Sequence, residues 1–145
     1  MRRRVSVLFA MALVAVVAVV VVPGSPAQAD DNCKGYVLCS RITNHLPQGA
    51  YVAVAKRWCG TRTRLDQNGP PCAGEKVEYI ASGDHTPSFS DYDTFRVERG
   101  CKVTAVDIYD FVETSSSYTI TASGTTNTWI KVKDNQEVLV QARKC

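Results

Sequence analysis

Apolar and polar residues alternate with a period of two through most of the chain beyond residue 29. The clearest run is AYVAVAKRW, from Ala50 to Trp58, where Tyr51, Ala53, Ala55 and Arg57 alternate with Val52, Val54, Lys56 and Trp58. That spacing, with its β-branched and aromatic residues, puts one set on each side of an extended strand. Further strands are predicted over residues 36–43, 76–81, 94–98, 102–109, 118–122, 128–133 and 137–143. Turn chemistry separates most of them: Pro47-Gln48-Gly49, Asn68-Gly69-Pro70-Pro71, Ser82-Gly83-Asp84, Ser123-Gly124 and Asp134-Asn135. No stretch beyond residue 29 sustains a 3.6 period. About eight short strands with such turns predict an all-β fold, an antiparallel β-sandwich of immunoglobulin-like or jelly-roll type. Its expected core is Val52, Val54, Trp58, Val77, Phe95, Val97, Val103, Ile108, Ile120, Trp129, Val132, Val138 and Val140.

Residues 1–29 break this pattern. Arg2, Arg3 and Arg4 lead into an apolar run from Val5 to Val22, and Ala27-Gln28-Ala29 supplies a small-x-small cleavage pattern. Pro23, Gly24 and Pro26 interrupt the run just before it. These features predict a secretory signal peptide over 1–29 and a mature chain beginning at Asp30, secreted and extracellular, with no membrane anchor after cleavage; the apolar run is nearly long enough to span a bilayer, so an uncleaved anchor is the rival reading. The mature chain divides into an N-terminal arm, 30–41, and a sandwich domain, 42–145.

Export sets the reading of the cysteines, because an oxidising compartment favours disulfides over thiolate chemistry. Six are present, Cys33, Cys39, Cys59, Cys72, Cys101 and Cys145, which allow 15 pairings. Local spacing suggests Cys33–Cys39 and Cys59–Cys72, leaving Cys101–Cys145. Loop closure would make these worth roughly 2.5, 3 and 4 kcal/mol.

Loss of Arg2, Arg3 and Arg4 with the signal leaves 14 basic residues against 14 acidic ones. That balance does not recommend a nucleic acid or an anionic membrane as partner, since either wants a basic excess. Catalytic material is thin. His45 and His85 are the only histidines, and neither stands in a nucleophile motif; Ser82-Gly83-Asp84-His85 reads as a turn between strands. Asp91 with Asp93, and Asp107 with Asp110, lack the spacing of a defined oxygen-ligand loop, so no metal or cofactor is expected. Tyr51, Trp58, Tyr79, Tyr92, Tyr109, Tyr118 and Trp129 are aromatic material for a sugar platform or, more commonly, for core packing.

The arm departs from an ordinary sandwich. Cys33 and Cys39 would close a small ring around Lys34, Gly35, Tyr36, Val37 and Leu38, with Ser40 and Arg41 following. A ring of this kind lowers the entropy lost when a segment docks into a cleft. Lys34 or Arg41 would suit an acidic pocket, as in a protease-inhibitor loop; the bland alternative is a ring that ties down a fraying first strand.

Ile42-Thr43-Asn44-His45-Leu46, then Trp58-Cys59, then Cys72, then Asp91-Tyr92-Asp93-Thr94-Phe95-Arg96-Val97-Glu98-Arg99-Gly100-Cys101 follow the pattern N-x-L, W-C, C, D-x-D-x-F-x-V-x-x-G-C. Over residues 42–101 the chain resembles the small secreted adapter subunits of actinobacterial umbrella toxin particles. The resemblance implies a non-enzymatic connector between a lectin-bearing subunit with a degenerate trypsin-like domain and a large toxin with alanine-leucine-phenylalanine-rich repeats. It further implies that the N-terminal segment enters the trypsin-like cleft. An inhibitor of an active extracellular serine protease, using the same arm, is the alternative reading.

Overall fold

The computed structural model describes residues 39–109 and 112–145. Among them the chain forms nine strands, β1 (Arg41–Asn44), β2 (Tyr51–Ala55), β3 (Arg64–Asp66), β4 (Glu78–Ala81), β5 (Thr94–Val97), β6 (Lys102–Tyr109), β7 (Val112–Thr121), β8 (Thr128–Lys131) and β9 (Gln136–Lys144). They make a four-stranded sheet, β1-β9-β6-β7, and a five-stranded sheet, β3-β8-β5-β2-β4. The inner faces supply Ile42, Val103, Ala105, Ile120, Val138 and Val140 from one sheet and Val52, Val54, Ile80, Phe95 and Val97 from the other, all in one apolar cluster. The protein is a disulfide-bonded β-sandwich.

The antiparallel expectation has one exception. β1 runs parallel to β9, with Ile42 opposite Val138 and Asn44 opposite Val140. The two strands come from opposite ends of the described chain, so no tight turn dictates their direction. Loop 83–86 covers the other edge of β1: Thr86 N donates to Ile42 O and Asn44 N to Asp84 O, both at 2.9 Å. Such cover removes an open edge that would invite strand addition. Between the sheets lies the fully buried Asn44, whose Nδ2 donates to Ala50 O at 3.1 Å and Ile80 O at 3.0 Å while its Oδ1 accepts from Leu46 N at 2.9 Å.

A second apolar cluster sits on the outer face of the five-stranded sheet. Ala55, Trp58 and Trp129 form its centre, with Leu65 and Val77 packed against them. Trp58, Leu65 and Val77 all come from the segment between β2 and β4, which the Cys59–Cys72 disulfide closes on itself. Gly60 is required there, because a Cβ at that position would stand 2.9 Å from the Trp58 indole. A second disulfide, Cys101–Cys145, joins the start of β6 to the end of β9. Both agree with expectation, Cys59–Cys72 as a pair of local spacing and Cys101–Cys145 as the pair left over.

Several details depart from the alternating pattern. Val52 to Ala55 are all buried: Val52 and Val54 face the inter-sheet core, and Ala55, on the other face, lies in the outer cluster under the covering segment. Ile108 is only half-buried. It lies five residues from the inward-facing Val103, an odd offset that turns it outward. Val77 packs only partly and on the outer face. β3 has no apolar run to announce it and is held to β8 by polar pairing: Thr128 Oγ1 donates to Asp66 Oδ1 at 2.6 Å, and Arg64 Nη2 donates to Thr128 Oγ1 at 3.3 Å.

Candidate docking site at the root of the N-terminal arm

Residues Cys33, Lys34, Gly35, Tyr36, Val37 and Leu38 of the expected arm, like the expected signal peptide 1–29, lie outside the described residues. What can be placed is the root. Cys39 is disulfide-bonded. Ser40 is buried, and both its backbone N and its Oγ donate to Asp91 Oδ1, at 2.9 and 2.6 Å; the Oγ also lies 2.8 Å from Tyr92 O. Arg41 opens β1. The last two residues assigned to the arm are therefore seated on the sandwich, because Ser40 finds in Asp91 and Tyr92 the partners a buried hydroxyl needs.

Beside this root is a cleft of about 340 Å³ lined by Cys39, Ser40, Arg41, Pro87, Ser88, Phe89 and Glu137. Arg41 Nη2 donates to Ser88 Oγ at 2.9 Å. Phe89 stands at its rim with 70% of its surface exposed. The fold thus puts a basic residue, an acidic residue and an exposed aromatic ring together where the arm leaves the sandwich. None of Pro87, Ser88, Phe89 or Glu137 was singled out from the sequence; Phe89, an aromatic residue in a Pro-Ser-rich turn, was the available signal.

Under the root lies a group of carboxylates. Asp91, Asp93 and Asp134 each place an oxygen within 4.8 Å of the others. Asp93 is 2% exposed. Burial, reinforced by the Asp91 and Asp134 charges and opposed by Lys131 and a hydrogen bond from the Trp58 backbone, pushes its carboxyl up to about 7. Lys56 lies alongside, its Nζ 5.5 Å from the Tyr92 ring centroid, and the Tyr92 hydroxyl donates to Glu78 Oε2 at 2.7 Å. A carboxyl whose folded value exceeds its unfolded one binds more protons folded than unfolded, so stability grows as pH falls. From about pH 8 to pH 5 the gain is expected to be about 1–2 kcal/mol once solvent screening is allowed for. Thermal melts across that range test this. Asp93→Asn should remove most of the dependence and melt no lower than the parent at pH 8; an unchanged pH profile in that variant would refute the assignment.

The two histidines are both exposed, and His85 bridges Thr43 beside β1. Of the aromatic residues considered for a sugar platform, Trp58, Tyr92 and Trp129 are buried, whereas Tyr51 and Tyr79 are exposed.

The residues of the N-x-L and D-x-D-x-F-x-V-x-x-G-C patterns prove to be scaffold. Asn44 accepts from the Leu46 backbone, and Leu46 is buried. Asp91 holds Ser40, Phe95 and Val97 fill the core, and Gly100 takes φ +74°, a left-handed conformation that favours glycine. Comparison of the chain with protein-family models, with curated proteins and with solved structures gave no match.

Proposed function

We propose that the protein is a secreted, non-enzymatic adapter that joins a lectin-bearing, trypsin-like protein to a large toxin built on alanine-leucine-phenylalanine-rich repeats, docking to the first through its N-terminal arm. The observation that carries this reading is the buried Ser40, whose two hydrogen bonds to Asp91 fix the base of a cysteine-bearing segment beside an open cleft. A docking segment gains from a fixed base, because less freedom is lost when it binds. The bonded disulfides fit an oxidising environment, and the signal-like residues 1–29 supply the route of export. The pattern spanning residues 42–101 supports the adapter assignment in particular.

The test is a deletion that spares the sandwich. Removing residues 30–38 together with Cys39→Ser, while keeping Ser40, should abolish capture of the secreted trypsin-like partner from culture medium and leave the melting temperature close to the parent's. In the full-length chain, Tyr36→Ala and Leu38→Ala should each weaken capture by about 1–3 kcal/mol. Undiminished binding by the deletion variant would move the docking surface to the sandwich. Inhibition of active trypsin by the intact protein would instead favour the protease-inhibitor reading of the same arm.

A further inference from the structure

An uncovered sheet edge is a template for another strand, and three of the four edges of this sandwich are covered or short. Loop 83–86 covers β1. β3 is three residues long and carries Arg64 and Asp66. β4 is four residues long, and its Ile80 carbonyl already accepts from Asn44 Nδ2. β7 is different. It runs for ten residues at the edge of the four-stranded sheet. Its stretch Ser115-Ser116-Ser117-Tyr118-Thr119-Ile120-Thr121 holds no proline and no charged residue and pairs with β6 without a bulge, so it lacks the devices that commonly guard an edge.

The pairing identifies the free backbone groups. Ala122 N donates to Cys101 O at 2.9 Å, and the register then runs unbroken from Thr121 opposite Lys102 to Ser115 opposite Ile108. Ile120, Tyr118 and Ser116 therefore bond to β6, while Thr121, Thr119, Ser117 and Ser115 direct their N–H and C=O groups away from it. Thr121 O bears this out by accepting from Arg64 Nη2, on β3 of the other sheet, at 3.1 Å. The outward groups of Ser115, Ser117 and Thr119 have no partner among the described residues, and all three side chains are exposed.

We propose that β7 is a dimerisation edge, pairing antiparallel with β7 of a second copy about a two-fold axis at Ser117. In that register Ser117 faces its own counterpart and Ser115 faces Thr119 on either side of the axis, and each facing pair exchanges two backbone hydrogen bonds. Small hydroxyl side chains meet, a favourable cross-strand combination, and no like charges do. A lone peptide strand would only pass the open edge to itself, whereas a second β7 closes both edges at once in an isologous contact. The product is one eight-stranded sheet, β1-β9-β6-β7-β7-β6-β9-β1, with the two arm roots at its far ends and clear of the contact. A contact along one short strand is smaller than a standard stable interface, so the association is weak and concentration-dependent.

Sedimentation velocity of the mature secreted protein at loading concentrations from about 10 µM to about 1 mM tests this. The parent is expected to shift from monomer toward dimer as concentration rises. Ser117→Lys, which sets two lysines face to face on the axis, should weaken association roughly tenfold or more, whereas Tyr51→Lys on the other sheet should leave it unchanged, both variants melting like the parent. Hydrogen exchange needs no variant: in the parent, the amides of Ser115, Ser117 and Thr119 should exchange more slowly at the higher concentration. A parent that stays monomeric throughout would overturn the proposal. So would a dimer that Ser117→Lys leaves intact, or one that forms without slowing those three amides. Slowing that requires added culture medium, at any concentration of the protein, would assign the edge to a different protein and likewise overturn it.

Discussion

Replacing Trp129 by alanine is expected to destabilise the protein by about 3–5 kcal/mol, the range for deleting a fully enclosed large side chain. Trp129 is 0% exposed although it points away from the inter-sheet core. It is covered by Trp58, Leu65 and Val77 and flanked by the Arg96 guanidinium. Removing the indole takes the floor from the segment between β2 and β4 and leaves a cavity that the Cys59–Cys72 loop cannot readily close. Trp129→Phe should cost far less, because the ring is largely kept and the indole Nε1, which has no hydrogen-bond partner among the described residues, goes with no bond lost. Urea unfolding followed by circular dichroism reads the difference. A loss below about 1 kcal/mol for the alanine variant would mean that the outer cluster contributes little and that the segment is held by its disulfide alone.

That cluster also marks where the sequence could be read and where it could not. Strand periodicity located the inner face well: Val52, Val54, Phe95, Val97, Val103, Ile120, Val138 and Val140 were expected in the core and are there. The outer cluster was visible only indirectly. Trp129 and Ile130 are adjacent apolar residues on β8, and Ala53 and Ala55 leave neither side of β2 polar over residues 52–55. Both signs mean a sheet covered on two faces. What covers it is a segment that brings only Trp58, Leu65 and Val77 to the cluster, spread over 20 positions, so its place on the sheet depends on contacts distant in sequence.

Strand order was illegible for a related reason. After β1 the chain makes β2 to β5 in one sheet, crosses for β6 and β7, returns for β8 and crosses again for β9. Among the described strands only β6 and β7 are neighbours in both sequence and space, so turn chemistry says little about the remaining pairings. At the candidate site, the arm was legible as a cysteine ring, whereas its seat was not. Ser40 and Asp91 meet across 51 positions, and no local pattern announces such a bond. Phe89 and Glu137 enter the same cleft from equally separate parts of the chain.

Removing the Cys101–Cys145 bridge, as Cys101→Ala with Cys145→Ala, is expected to cost about 4 kcal/mol, against about 3 kcal/mol for Cys59→Ala with Cys72→Ala. The ordering follows from loop closure: the first pair spans 44 residues of sequence and the second 13, and the longer loop restricts the unfolded chain more. Lys102 and Lys144 are already partners in the β6–β9 ladder, so the long bridge continues an existing pairing and its native state should change little. Its loss should therefore lower the unfolding midpoint without disturbing the folded spectrum. The short bridge behaves differently, because it shapes the cover over Trp58 and Trp129. Its loss should red-shift tryptophan fluorescence in the folded state, and its cost should fall short of additivity with Trp129→Ala, since both act on one cluster. Urea melts of the parent, the two bridge variants, Trp129→Ala and the short-bridge variant combined with Trp129→Ala, read by fluorescence and circular dichroism, separate the two roles. Strict additivity of the short-bridge and Trp129 variants would show that bridge to act through the unfolded chain alone. A cost below about 1 kcal/mol for the long bridge would show that the ladder restrains β9 without it.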